Sequence, residues 1–261
     1  MALNGSMIDS RTLEYLQKSN FSLSLWLIDD AKMLESGANY AYYDNIFCLE
    51  EDDLQYIKDK YGKSVYYGPL GYDSDIFCPD HTINRDIDLT FVGNPIPYRL
   101  DLLRQIASYI KSNSLSMTVQ GVYWDNKYFW KRMQFAKKHP ALAPYVSNHI
   151  ISFPKVADLY RRSKICLNIH SYPNPRKSAN PRTFEILATN SFQLTNDWGK
   201  LDSTIRPGVD AAIWNDNNLV EKIDYYLSNE PERKKIADSG YDWVKNKYSM
   251  THMVQKILDT L

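Results

Sequence analysis

Asn180-Pro-Arg-Thr-Phe-Glu-Ile-Leu-Ala-Thr-Asn-Ser-Phe-Gln-Leu-Thr-Asn-Asp197 reads as a loop, a short helix and then a buried strand. Asn180 suits an N-cap, and Pro181 suits the first helical turn, where a missing N–H costs nothing. Arg182 then falls among the unpaired backbone N–H groups of that turn. A helix N-terminus beside a guanidinium is a natural seat for a phosphate or diphosphate. Glu185 lies one turn further in, with acceptor oxygens suited to a pair of sugar hydroxyls, so the combination points to a sugar-nucleotide site. The alternative is that Arg182 and Glu185, three apart on a helix, simply pair on a solvated face.

Strands and helices alternate on both sides of this stretch. Upstream, Ile87 to Val92 is a strand and Gly93-Asn-Pro its turn, followed by a helix carrying Leu103, Ile106, Ala107 and Ile110 at i, i+3, i+4, i+7 spacing. Met117 to Val122, His149 to Phe153 and Lys164 to His170 are further strands, with an aromatic-rich helix around Tyr128, Phe129 and Trp130 and another from Val156 to Arg162. Downstream lie the strand Ser191 to Thr195 and helices near Asn218 to Ser228, Pro231 to Lys247 and Thr251 to Leu261. The first third repeats the alternation, with strands at Leu23 to Ile28, Tyr43 to Leu49 and Ser64 to Tyr67 and a helix from Glu51 to Tyr61. Tyr72 to Arg85 is polar and rich in turn formers, and reads as a linker. The expected fold is α/β, with parallel sheets covered on both faces, a partial unit over residues 1–85 and a second unit over 86–261.

In such folds ligands sit at the carboxyl ends of the strands. That edge would gather Gly93 and Asn94 after one strand, Arg99 in the next helix, Gly121, Ser152 and His170 at other strand ends, and Arg176 and Lys177 in the loop before Asn180. Arg99, Arg176 and Arg182 aimed at one place would stabilise a departing diphosphate without a metal. Each residue also has a plainer reading. Arg99 can be a solvated side chain, Gly93 a tight-turn glycine, His170 a structural hydrogen-bonder, and Arg176 and Lys177 members of a solvated loop.

Composition limits the function classes. Hydrophobic content of 44% and 31 basic against 31 acidic residues describe a globular chain with no electrostatic case for nucleic acid. Twenty tyrosines and six tryptophans suit hydroxyl-rich ligands but also ordinary half-buried packing. Cys48, Cys78 and Cys166 form no C-x-x-C pair or His/Cys cluster, which argues against a metal site and for a reducing, cytoplasmic setting. No apolar run approaches the roughly 20 residues that span a bilayer. The opening Met1 to Met7 lacks the basic and apolar regions of a signal peptide and reads as a foreign extension before a native stretch near Ile8. There is no G-x-S-x-G, G-x-x-x-x-G-K-[ST], H-E-x-x-H or G-x-G-x-x-G pattern. Asp29 and Asp30 are adjacent carboxylates on a strand end, which point to opposite faces and do not make a glycosidase pair.

Asp88-Leu-Thr-Phe-Val-Gly-Asn94, Lys164-Ile-Cys-Leu-Asn-Ile-His170, Asn180-Pro-Arg-Thr-Phe-Glu-Ile-Leu-Ala188 and Phe192-Gln-Leu-Thr195 together resemble the CgeB-like glycosyltransferases, among the group 1 transferases of GT-B fold. Arg206-Pro-Gly-Val-Asp, Val220 to Leu227 and Glu232 to Ala237 match the pattern downstream, and Trp26-Leu-Ile-Asp29 and Tyr66 to Gly71 match it upstream. The resemblance implies transfer of a sugar from a UDP- or GDP-sugar to a glycan, glycolipid or protein, usually without a bound metal. Peripheral membrane association is compatible with it. Glu185 takes the place of the second glutamate of an E-x7-E pattern, which binds ribose hydroxyls. Arg99 and Arg182 match positions that meet the diphosphate, and the backbone near Ile151 and Ser152 would face the base. Retaining stereochemistry is implied by fold relatives alone. Two features depart from the pattern. Lys177 stands where the first glutamate belongs, and the front portion supplies about three strands, roughly half an acceptor domain. Asp29, Asp30 and His170 are the weak candidates for catalysis. The alternatives are a non-catalytic module that binds a nucleotide sugar, a fragment needing a partner domain, or a tyrosine-rich interaction protein.

Overall fold

The computed structural model describes residues 2–5, 7–19, 21–122, 124, 128–170, 179–197, 205–215 and 217–261. The chain divides into two compact units, one formed by residues 1–71 with 250–261, the other by residues 72–249. The division thus falls at 71/72 rather than 85/86. The reason is local: Tyr72 donates its backbone N–H to the Tyr248 carbonyl at 2.9 Å, tying the polar segment after it to the second unit.

The first unit is a four-stranded parallel sheet in the order β1 (Ala2–Leu3), β2 (Ser24–Leu27), β3 (Asn45–Cys48), β4 (Ser64–Tyr67). Leu25, Leu27, Ile46 and Cys48 from these strands form one buried cluster with Leu13, Tyr40 and Ile57. Three helices accompany it, α1 (Ser10–Lys18), α2 (Ala31–Ala38) and α3 (Glu51–Tyr61). Within Met1 to Met7, the stretch read from the sequence as a foreign extension, Ala2–Leu3 form β1. Ala2 and Leu3 pair in register with Leu25 and Trp26. Two residues are too few for a period-two pattern to show.

The second unit holds β5 (Ile87–Val92), β6 (Met117–Gly121), β7 (Val146–Asn148), β8 (Ser163–Asn168), β9 (Gln193–Asn196) and β10 (Ala212–Trp214). All are parallel, in the order β10-β9-β8-β5-β6-β7. Counting β5 as the first strand, this is the doubly wound order 3-2-1-4-5-6, whose switch point lies between β5 and β8. Successive side chains of β8 enter opposite cores. Ile165 and Leu167 join Leu103 and Ile106 of α4 (Pro97–Ser112), whereas Cys166 joins Val156 and Tyr160 of α6 (Phe153–Arg162). Burial on both faces is why this strand reads as a continuous apolar run. The expected strand at His149 to Phe153 is not formed. The strand is Val146–Asn148, and Phe153 opens α6 with Pro154 in its first turn. In sequence α5 (Phe129–Lys138) precedes β7, and α7 (Pro181–Ala188), α8 (Leu219–Ser228) and α9 (Glu230–Val244) follow α6. The chain ends with α10 (Met250–Leu258), which belongs to the first unit.

Candidate functional site

The carboxyl ends of β5 and β8 flank the switch point. Leu167 pairs with Phe91, so the turn after β5 and the residues after β8 leave the sheet at the same level. Arg99, in the first turn of α4, bridges them. Its Nε donates to the Ile169 carbonyl at 2.8 Å and its Nη1 to the Asn94 carbonyl at 3.3 Å. The stem passes the Phe91 ring, with the guanidinium carbon 5.9 Å from the ring centroid. Burial, and then the neighbouring Arg182, lower its pKa to about 10, so it remains a cation at neutral pH.

The second cation comes from α7. Asn180 is the N-cap, its side-chain oxygen accepting from the Thr183 N–H at 3.1 Å, as the Asn-Pro start predicts. The Asn180 Nδ2 donates to Asn168 Oδ1 at 2.9 Å, and Asn168 Nδ2 donates to Asn180 Oδ1 at 3.2 Å and to Thr183 Oγ1 at 3.1 Å. This amide pair welds the end of β8 to the start of α7 and fixes where Arg182 leaves the helix. The Arg182 guanidinium carbon lies 3.5 Å from the point a Cβ on Gly93 would occupy. Arg99 and Arg182 therefore converge above the end of β5, close enough for Arg182 to depress the Arg99 pKa.

Glu185 is one turn below Arg182. Burial raises its carboxyl to about 7, with the Arg182 charge opposing the rise. No ion pair joins the two despite their i, i+3 spacing, so the solvated-pair alternative is not what forms. Tyr160 of α6, fully buried, adds a hydroxyl with no hydrogen-bond partner among the described residues. Its pKa is raised by burial first and then by the Glu185 charge.

His170 is buried beside the same pair of cations. Its backbone N–H donates to Asn196 Oδ1 at 2.8 Å. Its Nε2 lies 3.3 Å from Asn168 Nδ2 and its Nδ1 3.5 Å from Asn180 Nδ2. Burial, then Arg182 and Arg99, press its pKa down to about 3, so the ring is neutral and a poor proton acceptor at physiological pH.

The other sequence candidates are placed as follows. Gly121 is needed by the protein's own backbone, because a Cβ there would stand 2.1 Å from the Gly93 carbonyl oxygen. Trp124 Nε1 donates to that same oxygen at 3.0 Å. Asn94 and Ser152 are exposed, and Ser152 caps α6 without a side-chain bond. Arg176 and Lys177 lie outside the described residues. Asp29 and Asp30 are both in the first unit. Asp30 caps α2 through the N–H groups of Lys32 and Met33, and Asp29 accepts from Asn4 Nδ2 at 2.9 Å. Sequence reading missed Asn168, Thr183 and Tyr160. The one available signal was an amide, Asn168, inside an otherwise apolar strand run.

A separate cavity of about 200 Å³ sits at the opposite, amino edge of the sheet, lined by Arg85, Arg161, Lys164 and Arg233 among others. Its arginines are engaged on carbonyls. Arg85 donates to Ser163 and Asn190, Arg161 to Ile76 and Cys78, and Arg233 to Tyr226 and Leu227. Arg85 and Arg233 thereby satisfy carbonyls at helix ends, and Arg161 those of the segment before β5, a structural task. The carboxyl edge, with two guanidinia outside any ion pair among the described residues, is the functional candidate.

Comparison with known proteins finds glycosyltransferases. The Glycosyl transferase-like family, Glyco_trans_1_2, matches residues 99–259. Spore protein CgeB of Bacillus subtilis (strain 168) is 22% identical over 246 residues, covering 91% of this chain and 74% of that protein. A glycosyltransferase from Rickettsia africae superposes with a TM-score of 0.63 at 15% identity, covering 98% of this chain and 79% of its own. Anabaena Alr3699/HepE, solved in complex with UDP-glucose, superposes with a TM-score of 0.61 at 10% identity, covering 99% and 98%. These likenesses show a GT-B fold. The chain belongs to the glycosyl transferase-like family, and is a CgeB-like glycosyltransferase.

Proposed function

We propose that the carboxyl edge of the six-stranded sheet binds the nucleoside diphosphate of a UDP- or GDP-sugar. The observation that carries this is the convergence of Arg99 and Arg182. Two guanidinia held close enough to disfavour each other, with no carboxylate paired to either among the described residues, form a site that an external anion completes. Gly93 leaves the room between them that the phosphates need. Glu185 accepts the ribose hydroxyls, and the backbone near Ile151 and Ser152 faces the base.

In the reaction the bond from the sugar C1 to the β-phosphate oxygen breaks and a bond from C1 to an acceptor hydroxyl oxygen forms. The hydroxyl proton passes to a base or to water, and the nucleoside diphosphate leaves. Arg99 and Arg182 meet the charge that gathers on the leaving diphosphate, supplying electrostatic stabilisation from the protein itself and making an essential metal unnecessary. The acceptor is a glycan, glycolipid or protein. The buried thiols Cys48 and Cys166, raised to about 12 by burial, suit a reducing, cytoplasmic setting.

Calorimetric titration of the protein with UDP and GDP, with and without magnesium, tests the reading. Metal-independent binding of one of them, weakened by about tenfold to a hundredfold in Arg182→Ala, is the expected result. Binding that is unaffected by Arg182→Ala, or that needs the metal, sinks the assignment.

A further inference from the structure

The α5 helix reads Phe129-Trp-Lys-Arg-Met-Gln-Phe-Ala-Lys-Lys138, and its large apolar residues lie on the wrong side for a core helix. Only Phe135 is buried, packed into the main cluster of the second unit. Phe129, Trp130 and Met133 are 76%, 61% and 60% exposed. At 100° per residue these three fall within one arc of the helix, away from Phe135. Tyr128, just before the helix, stacks on Trp130 with ring centroids 5.1 Å apart and nearly parallel planes. Arg132 and Lys137 are exposed on or beside this arc, and the helix carries no acidic residue although the chain as a whole is neutral.

We propose that this face of α5 docks the enzyme on a membrane surface containing anionic lipid. Aromatic side chains with a flat apolar body settle at the headgroup level, and the surrounding cations meet lipid phosphates. The absence of acids on the helix is the charge complement of an anionic bilayer and distinguishes it from a mixed-charge protein interface. Trp124, fully buried, is held after β6 by donating its backbone N–H to Asn148 Oδ1 at 3.2 Å and its indole N–H to the Gly93 carbonyl at 3.0 Å. Trp124 thus holds the chain at the same sheet edge as Gly93, a few residues before α5 begins. A lipid surface held there is a source of lipid-linked acceptor.

Sedimentation with vesicles of phosphatidylcholine, with and without phosphatidylglycerol, tests this. The intact protein is expected to pellet with the anionic vesicles and to be released as salt shortens the Debye length from about 30 Å at 0.01 M to about 3 Å at 1 M. Phe129→Ser/Trp130→Ser is expected to weaken partition at least about tenfold, and Arg132→Glu/Lys137→Glu to abolish the preference for phosphatidylglycerol. All four side chains are exposed, so unchanged thermal unfolding checks that the variants fold. Nucleotide titration of the same variants is expected to be unaltered, which separates failure of this proposal from failure of the donor site. No pelleting with anionic vesicles, or equal pelleting of wild type and variants, overturns it. So does a dimer in solution that Phe129→Ser/Trp130→Ser converts to monomer without changing vesicle binding, because a second copy would then own the face.

Discussion

The Arg182 guanidinium rests over the bare α-carbon of Gly93, its carbon 3.5 Å from where a methyl would stand. The same methyl would sit 2.9 Å from Phe91 Cζ, a buried ring. Gly93→Ala is therefore expected to force Phe91 to shift, to cost about 1–3 kcal/mol of stability, and to crowd the phosphate seat. Denaturant midpoints and nucleotide titration on one preparation measure both losses. Retention of full stability would mean the ring has room that this packing does not show.

Arg182→Ala separates function from stability. It removes one of two mutually repelling cations, so the ligand-free protein is expected to melt at the same temperature or slightly higher while nucleotide affinity falls. Arg99→Ala is expected to lower both, since Arg99 also ties Ile169 to Asn94 and each lost bond leaves a carbonyl unmet at about 1 kcal/mol. Thermal shifts with and without nucleotide distinguish the pair.

Glu185 gives a pH signature. Its folded pKa of about 7 lies above the ordinary 4.5, so the folded state holds a proton that the unfolded chain has lost across that window. Its contribution to stability is complete below 4.5 and lost as pH rises through 7. Glu185→Gln is expected to gain about 1–3 kcal/mol at pH 8, read from urea midpoints. A carboxylate that accepts ribose hydroxyls must be ionised, so nucleotide affinity should climb as pH passes through about 7 and the binding should release a proton. A flat affinity profile would take Glu185 out of the site.

His170 works in the opposite sense. Its folded pKa of about 3 lies below the ordinary 6.5. The neutral ring's contribution is complete above 6.5 and is lost as pH falls toward 3. His170→Asn is expected to flatten the acid limb of the stability curve. A rate profile that loses a titrating group near neutrality in this variant would instead make His170 a catalyst.

Gly121→Ala is expected to cost about 3 kcal/mol, because its methyl would meet the Gly93 carbonyl oxygen at 2.1 Å and Trp124 Nε1 at 2.9 Å. The readout is the midpoint of unfolding, with soluble yield as a second measure. A mild effect on folding with a large one on binding would point to ligand contact at Gly121.

Much of this was legible in the chain. β5, β4 and α3 have the ends the patterns predict, because each is a clean apolar run or a clean helical repeat bounded by turn formers. Arg99 and Arg182 were legible because Pro97 and Asn180-Pro181 mark helix starts, and a helix start after a strand in this fold opens at the ligand edge. β7 was misplaced because Ile150, Ile151 and Phe153 look like a strand while Pro154 makes them the approach to a helix. β1, β10, α1 and α2 were missed because two or three residues carry no period and the two helices bury few apolar side chains. The Asn168–Asn180–Thr183 junction was invisible for a different reason. Its partners are 12 and 15 positions apart, and only the fold of β8 against α7 brings them together.

The return of α10 to the first unit sets an order of events during synthesis. Met253 and Ile257 line a small pocket with Phe47, Tyr66 and Gly68, so residues 1–71 leave the ribosome without the helix that covers them. Residues 72–249 contain their whole sheet and can close first, as an uninterrupted stretch of chain. The first unit is completed only after residues 250–261 have been made. A chain released before residues 250–261 are made would therefore display an aromatic, uncovered surface on residues 1–71, and it is that surface a chaperone would find.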